Sequence, residues 1–195
     1  MTSPSTPQSA LPGISVILPV LNEEDHLEES IRAILTQDYA GEFEIILALG
    51  PSKDRTDQIA ARLSEENSRI ILVSNPTGKT AAGLNLALRH SQREIIVRVD
   101  AHAEIPQNYL QLVVEILNQT GAVNVGGVMG AEGVTLFESA VAAAMRSPFG
   151  VGGSRFHIGG KPGFVDTVYL GAFRRQAVVD AGGFDERFIL SLIHI

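Results

Sequence analysis

The placing of apolar residues over the first hundred positions limits the fold more than anything else in this chain. Four short runs rich in β-branched residues, at 14–20, 43–49, 69–73 and 94–99, read as strands. Between them Leu27, Ile31, Ile34 and Leu35, then Ile59, Ala60 and Leu63, then Leu84, Ala87 and Leu88 recur at helical spacing. Parallel strands must be joined by a crossover, and a helix is the usual way to make one. The alternation therefore predicts an α/β domain with a mostly parallel, Rossmann-like sheet and helices on both faces.

The fourth run suits the middle of such a sheet, because Ile95, Ile96, Val97 and Val99 are apolar at odd and even positions alike. Asp100 and His102 follow at its carboxyl end, the side of an open α/β sheet where ligands gather. On an extended chain, alternation sets residues 100 and 102 on one side. A carboxylate and an imidazole so placed could hold a divalent cation against a diphosphate. An aspartate there can equally cap the next turn, and a histidine can simply face solvent.

The other loops carry turn chemistry. Pro19 is expected to stop the first strand, and Asn22, Glu23, Glu24 and Asp25 read as the acidic first turn of the next helix. Gly50-Pro51-Ser52-Lys53-Asp54 and Asn75-Pro76-Thr77-Gly78 separate later strands from helices. Gly78-Lys79-Thr80 has the end of a phosphate loop. That motif needs a glycine five residues earlier so that successive amides can wrap the phosphates, and Val73 stands there inside a strand. Asp54 as a helix cap and Lys79 as a solvated charge are the plain alternatives to ligand contacts.

After Asp100 the pattern loosens. Residues 110–117 read as a helix, 122–129 and 165–173 as strands, 174–180 as a short helix and 181–186 as a turn. The glycine clusters at 150–154 and 159–163 lie in a connection too long to be ordinary, as in a lid over a ligand face or a merely mobile loop.

Composition removes several classes. One domain is what 195 residues accommodate, and 45% hydrophobic against 19% charged residues is globular usage. A net charge of −7 argues against a broad nucleic-acid footprint. Without cysteine there is no disulfide and no thiolate metal site, which fits a reducing cytoplasm. No apolar run reaches the roughly 18 to 20 residues a membrane helix needs, and no leader pattern opens the chain. Pro4, Pro7 and Pro12 among Ser, Thr and Gln make residues 1–13 a disordered tail.

Five segments in chain order carry a resemblance. They are Ile14-Ser15-Val16-Ile17-Leu18-Pro19-Val20-Leu21-Asn22-Glu23, Gly50-Pro51-Ser52-Lys53-Asp54-Arg55-Thr56, Gly78-Lys79-Thr80-Ala81-Ala82-Gly83-Leu84-Asn85, Val99-Asp100-Ala101-His102, and Gly182-Gly183-Phe184-Asp185-Glu186. Together they resemble glycosyltransferase family 2 of the GT-A fold, especially bacterial succinoglycan-type exopolysaccharide enzymes. The resemblance spans residues 14–189. It implies an inverting, metal-dependent transfer of a sugar from a nucleotide-diphosphate donor to a growing polysaccharide or a lipid-linked acceptor. It implies donor contacts at Pro19, Asn22, Glu23, Asp54, Lys79, Asn85 and Asp100, and a divalent metal, Mn²⁺ or Mg²⁺, on Asp100 and His102. Asp185 and Glu186 match the acceptor-side loop, with Asp185 the candidate catalytic residue.

Two positions depart from the family. Leu49 stands where an acid usually holds the base, which opens the question of which nucleobase is bound. His102 replaces the second acid of the metal motif, and imidazole favours Mn²⁺ over Mg²⁺. Beyond Ile189 the family leads into an acidic segment that supplies the base, and often into membrane-embedded segments. Here residues 190–195 form an apolar end in which His194 has no visible orienting partner. The expectation is a chain that binds metal and nucleotide sugar but transfers sugar poorly, in the cytoplasm or at the cytoplasmic face of the membrane. A nucleotide-sugar binding module without turnover stays open beside it.

Overall fold

The computed structural model describes residues 11–130, 135–147, 149, 155–159, 161–165 and 167–187. The proposed tail up to residue 10, the whole of the first glycine cluster, and the apolar end with His194 lie outside them.

The elements run β1 (Ile14–Val20), α1 (Leu27–Leu35), β2 (Phe43–Leu49), α2 (Thr56–Glu66), β3 (Ile70–Ser74), α3 (Thr80–His90), β4 (Ile95–Arg98), α4 (Tyr109–Thr120) and β5 (Asn124–Gly127). Then come α5 (Leu136–Met145), α6 (Arg155–Ile158), β6 (Tyr169–Arg174) and α7 (Arg175–Asp180). One six-stranded sheet has the order β3-β2-β1-β4-β6-β5. β1 to β4 pair in parallel, whereas β6 runs antiparallel to both β4 and β5. The expected mixed but mostly parallel α/β sheet is observed.

Alternation along the buried strands feeds two cores. Val16, Leu18, Ile45, Leu47 and Val97 point to one face and join Ile31 of α1, Leu63 of α2 and Leu110 of α4. Ile17, Ile46 and Ile96 point to the other and join Leu84 and Leu88 of α3 and Val178 of α7. Each such side chain contributes about 1.5 to 3 kcal/mol when fully buried, so neither face can be left bare. At the amino edge of the sheet the buried Glu44 carboxylate accepts from the Ser15 hydroxyl at 2.6 Å and from the Gln92 amide at 3.0 Å, which meets the cost of burying it.

Several boundaries differ from the sequence reading for physical reasons. β1 has the expected span, 14–20, but it continues through Pro19 instead of stopping there. The Ile17 carbonyl accepts from Val99 N, so residue 19 turns its backbone nitrogen toward β4, past the last paired residue Arg98. Pro19 thus lacks a donor only where no ladder remains. The four residues 22–25 precede α1 instead of opening it. Asn22 has φ 54°, outside helical geometry, and the first helical acids are Glu28 and Glu29. β4 stops at Arg98 and the chain turns, with Ala103 N donating to the Asp100 carbonyl at 2.9 Å, so residues 100 and 102 are not alternating positions of a strand. α5 and α6 fall in the stretch read as glycine-rich loop, and the alanines at 140 and 142–144 favour α5.

Candidate active site at the carboxyl edge of the sheet

Strand order reverses between β1 and β4, which is the switch point where a crevice opens in a doubly wound sheet. Pro19 sharpens it, since it has no N–H to extend the β1·β4 ladder. The loops after these two strands carry Asn22, Glu23, Asp100 and His102.

Two polar pairs stand at this crevice, one across it and one within the β4 side. The Glu23 Oε1 accepts from His102 Nδ1 at 3.0 Å and ties the β1 loop to the β4 loop. Asp100 Oδ1 accepts from Arg98 Nη2 at 2.8 Å and from Nε at 3.2 Å. Asp100 and Arg98 are shielded, with side chains 12% and 13% exposed, whereas His102 is 59% exposed. Tyr169 enters from the start of β6, brought to the end of β4 by the antiparallel register. Burial pushes its phenol above the ordinary value, the Asp100 charge pushes it further, and Arg98 opposes. Sequence reading named neither Arg98 nor Tyr169 as a site residue. Arg98 was visible as a charge inside an apolar strand, but Tyr169 lies far along the chain from Asp100 and left no local signal.

Asn22, Asp54, Asn85 and Asp185 are occupied by the protein itself, and Lys79 is held through its backbone only. Asn22 Oδ1 accepts from Lys53 N at 2.8 Å, and its own N–H donates to Ser52 Oγ at 3.1 Å. Asp54 accepts from the Thr56 amide and hydroxyl through one oxygen and from Glu24 N through the other. The Thr56 hydroxyl bond, more than any other contact, holds the Asp54 carboxyl below its usual range. These contacts lock the β1 and β2 loops together, and Asp54 takes up the first amide of α2, whose N-cap position is Arg55. Lys79 lies exposed at the amino end of α3, while its backbone is held by Thr77 and Asn75. Gly78 takes φ 63° in this turn. Val73 lies within β3, paired with Ala48, so no long phosphate-wrapping loop exists here.

Asn85 is buried, and it faces the chain's own end. Its Nδ2 donates to the Phe184 carbonyl and to Glu186 Oε1, both at 2.8 Å, and its Oδ1 accepts from Phe184 N at 2.8 Å. Gly183 has φ 86°, and a Cβ there would stand 2.5 Å from Asn85 Oδ1, so glycine is needed twice over. Asp185 beside it pairs with the exposed Arg187 through both oxygens, which pulls its carboxyl down to about 2. A carboxylate so acidic is a weak proton acceptor unless Arg187 lets go.

A shallow cleft of about 420 Å³ lies beside the crevice at the ends of β2 and β3, lined by Leu49, Gly50, Pro51, Asp57, Ser74 and Pro76 among others. Leu49 therefore lines this cleft.

Whether these residues suit a divalent metal can be judged from the donors. Among the described residues no three His, Cys, Asp or Glu side chains cluster to hold a metal alone. Asp100 keeps Oδ2 outside its contacts with Arg98, and His102 engages Glu23 through Nδ1, leaving Nε2 for a ligand. One or two protein donors completed by phosphate oxygens is the usual arrangement for Mg²⁺-type sites, so the set fits.

This sheet order, with acids at the switch point, defines an α/β protein of the class that gathers ligands at the carboxyl ends of its strands. The chain belongs to glycosyltransferase family 2, whose sequence profile, described as glycosyl transferase family 2, matches residues 15–180. Succinoglycan biosynthesis protein ExoA of Rhizobium meliloti (strain 1021) is 33% identical over 178 residues, 89% of this chain and 53% of that protein. The mannosyltransferase PcManGT from Pyrobaculum calidifontis, solved in complex with GDP-Man and Mn²⁺, superposes with a TM-score of 0.66 at 26% identity, over 91% of this chain and 48% of that one. S. aureus TarS 1-349 in complex with UDP gives a TM-score of 0.67 at 18% identity over 92% of this chain and 52% of that one, a likeness of fold alone. The expected GT-A fold is thus observed. The chain spans about half the length of these relatives.

Proposed function

We propose that this domain binds a nucleotide-diphosphate sugar across the β1/β4 crevice and serves a glycosyltransferase that passes the sugar, with inversion, to a growing exported polysaccharide or lipid-linked acceptor. The observation that carries this reading is Asp100, shielded at the end of the central strand β4 at the switch point, with one oxygen outside its ion pair. Asp100 and His102 would hold the divalent metal, whose role is to neutralise charge that builds on the departing diphosphate. Glu23 orients the His102 ring, and the exposed Lys79 ammonium adds positive charge at the amino end of α3. The acceptor hydroxyl must lose a proton to a general base as it attacks the anomeric carbon. Asp185 could take that part only once freed from Arg187.

The acceptor reading draws on ExoA, named for succinoglycan biosynthesis, and the metal reading on PcManGT, solved with GDP-Man and Mn²⁺. A cytoplasmic site, at the membrane face in the whole protein, accords with a cysteine-free chain. Among the described residues no helix is long and apolar enough to cross a membrane.

The test is calorimetric titration with a panel of nucleotide sugars, with and without Mn²⁺, on the wild type and on Asp100→Ala. Mn²⁺-dependent binding in the wild type and its loss in a folded Asp100→Ala protein are expected. Unchanged Mn²⁺-dependent binding in that variant would overturn the assignment of Asp100.

A further inference from the structure

We infer that Arg98 is a positioning residue that holds the place of the cation at Asp100 and so makes metal binding depend on the diphosphate. This rests on the donor-site reading above. The Arg98 guanidinium and the Asp100 carboxylate are 2.8 Å apart and nearly cut off from solvent, at 13% and 12% exposure. In such a place a lone carboxylate is costly, and Arg98 compensates it when no metal is bound. The same fixed charge repels a divalent cation approaching the other oxygen, because poor solvent contact leaves the repulsion weakly screened.

A diphosphate reverses that balance. It brings several negative charges to the crevice, and the planar fork of an arginine matches phosphate oxygens as well as it matches a carboxylate. Arg98 can then face the anion while Asp100 faces the cation. The cation thus binds weakly alone and tightly with the nucleotide, and by reciprocity the nucleotide gains as much from the cation. The groups around the pair are Tyr169 from β6, which feels both charges, and the Glu23–His102 contact across the crevice.

A purely structural Arg98 makes the opposite prediction. If it only held Asp100 in place, removing it would weaken metal binding. The experiment measures Mn²⁺ binding by the loss of free-ion paramagnetic resonance signal, and by the rise in melting temperature with Mn²⁺, for wild type, Arg98→Leu, Arg98→Gln and Arg98→Lys. Each is measured alone and with GDP or UDP. Arg98→Leu and Arg98→Gln are expected to bind Mn²⁺ alone at least about tenfold more tightly than wild type, the effect of one nearby positive charge even at the permittivity of water. Their gain from added nucleotide should shrink by a similar factor, and Arg98→Lys, which keeps the charge, should stay near wild type. If Arg98→Leu does not fold, Arg98→Gln, which keeps an N–H donor for Asp100, decides. Mn²⁺ binding by the folded neutral variants that equals or falls below wild type overturns the inference while leaving the donor site standing. A wild type that binds neither Mn²⁺ nor nucleoside diphosphate overturns both.

Discussion

Asn22 shows how one residue can be read correctly as important and wrongly in kind. Its place in the first loop marked it as a donor contact, whereas its φ of 54° and its two bonds to residues 52 and 53 give it a structural task. Asparagine tolerates the left-handed region better than most residues. Asn22→Ala is therefore expected to cost about 1 to 2 kcal/mol, and Asn22→Gly less, because glycine accepts this backbone without strain. Urea denaturation checks the order, and an alanine variant as stable as glycine would contradict it. Asp54 carries a pH signature. Its carboxyl is held below the ordinary aspartate value of 3.8, chiefly by the Thr56 hydroxyl, so its stabilising effect is complete above that value and fades as pH falls through the lower folded value. The stability gap between wild type and Asp54→Ala should thus be widest near neutrality and narrow as the pH drops below 3.8. A gap of constant size would show that the carboxylate charge is not what the loops use.

Among elements, α3 does more than cover the sheet. Its Asn85 reaches across to the turn after α7 and fixes the backbone of Phe184, with Phe173 and Phe184 meeting edge to face 6.1 Å apart. The third and fifth segments singled out in sequence are therefore two halves of one contact. Removing the buried amide in Asn85→Ala leaves backbone groups of that turn unpartnered and is expected to cost about 1 to 3 kcal/mol. Amide exchange should quicken selectively at residues 182–186, and uniform protection there would show that the turn is held by something else. β1 gives the other lesson at this scale. Proline within a central strand is ordinarily disfavoured, but here its missing donor falls where the neighbour has already turned away, and the same gap opens the crevice.

At the scale of the whole molecule, the crevice between β1 and β4 and the cleft past β2 and β3 form one edge at which a nucleotide could lie. The cleft is bounded by Leu49, Pro51 and Pro76, and no acid stands at the end of β2 to read a base edge. Without an acid at that position, hydrogen-bond discrimination falls to the other polar side chains of the cleft, Asp57, Ser74 and Asn75, and is expected to be weaker. Affinities for UDP, GDP and ADP in the presence of Mn²⁺ are expected to fall within about 100-fold of one another, roughly 2.7 kcal/mol. A sharper preference in competition calorimetry would point to another reader, and Asp57, which also lines the cleft, is the first residue to substitute.

Local sequence was enough for the alternation of strands and helices, for helix α3 over Thr80–His90, and for the two-faced burial of the sheet. Those features depend on side-chain periodicity and turn residues, which act over a few positions. The acid at the end of β4 was legible for the same reason. Tertiary structure alone decided what each candidate touches: Asp100 an arginine two residues away, His102 a glutamate from another loop, Asn85 a turn nearly a hundred positions later. It also decided the antiparallel course of β6 and the arrival of Tyr169 beside Asp100. A polar side chain takes its partner from whatever the folded chain brings within hydrogen-bond reach, and strand order and direction set that reach.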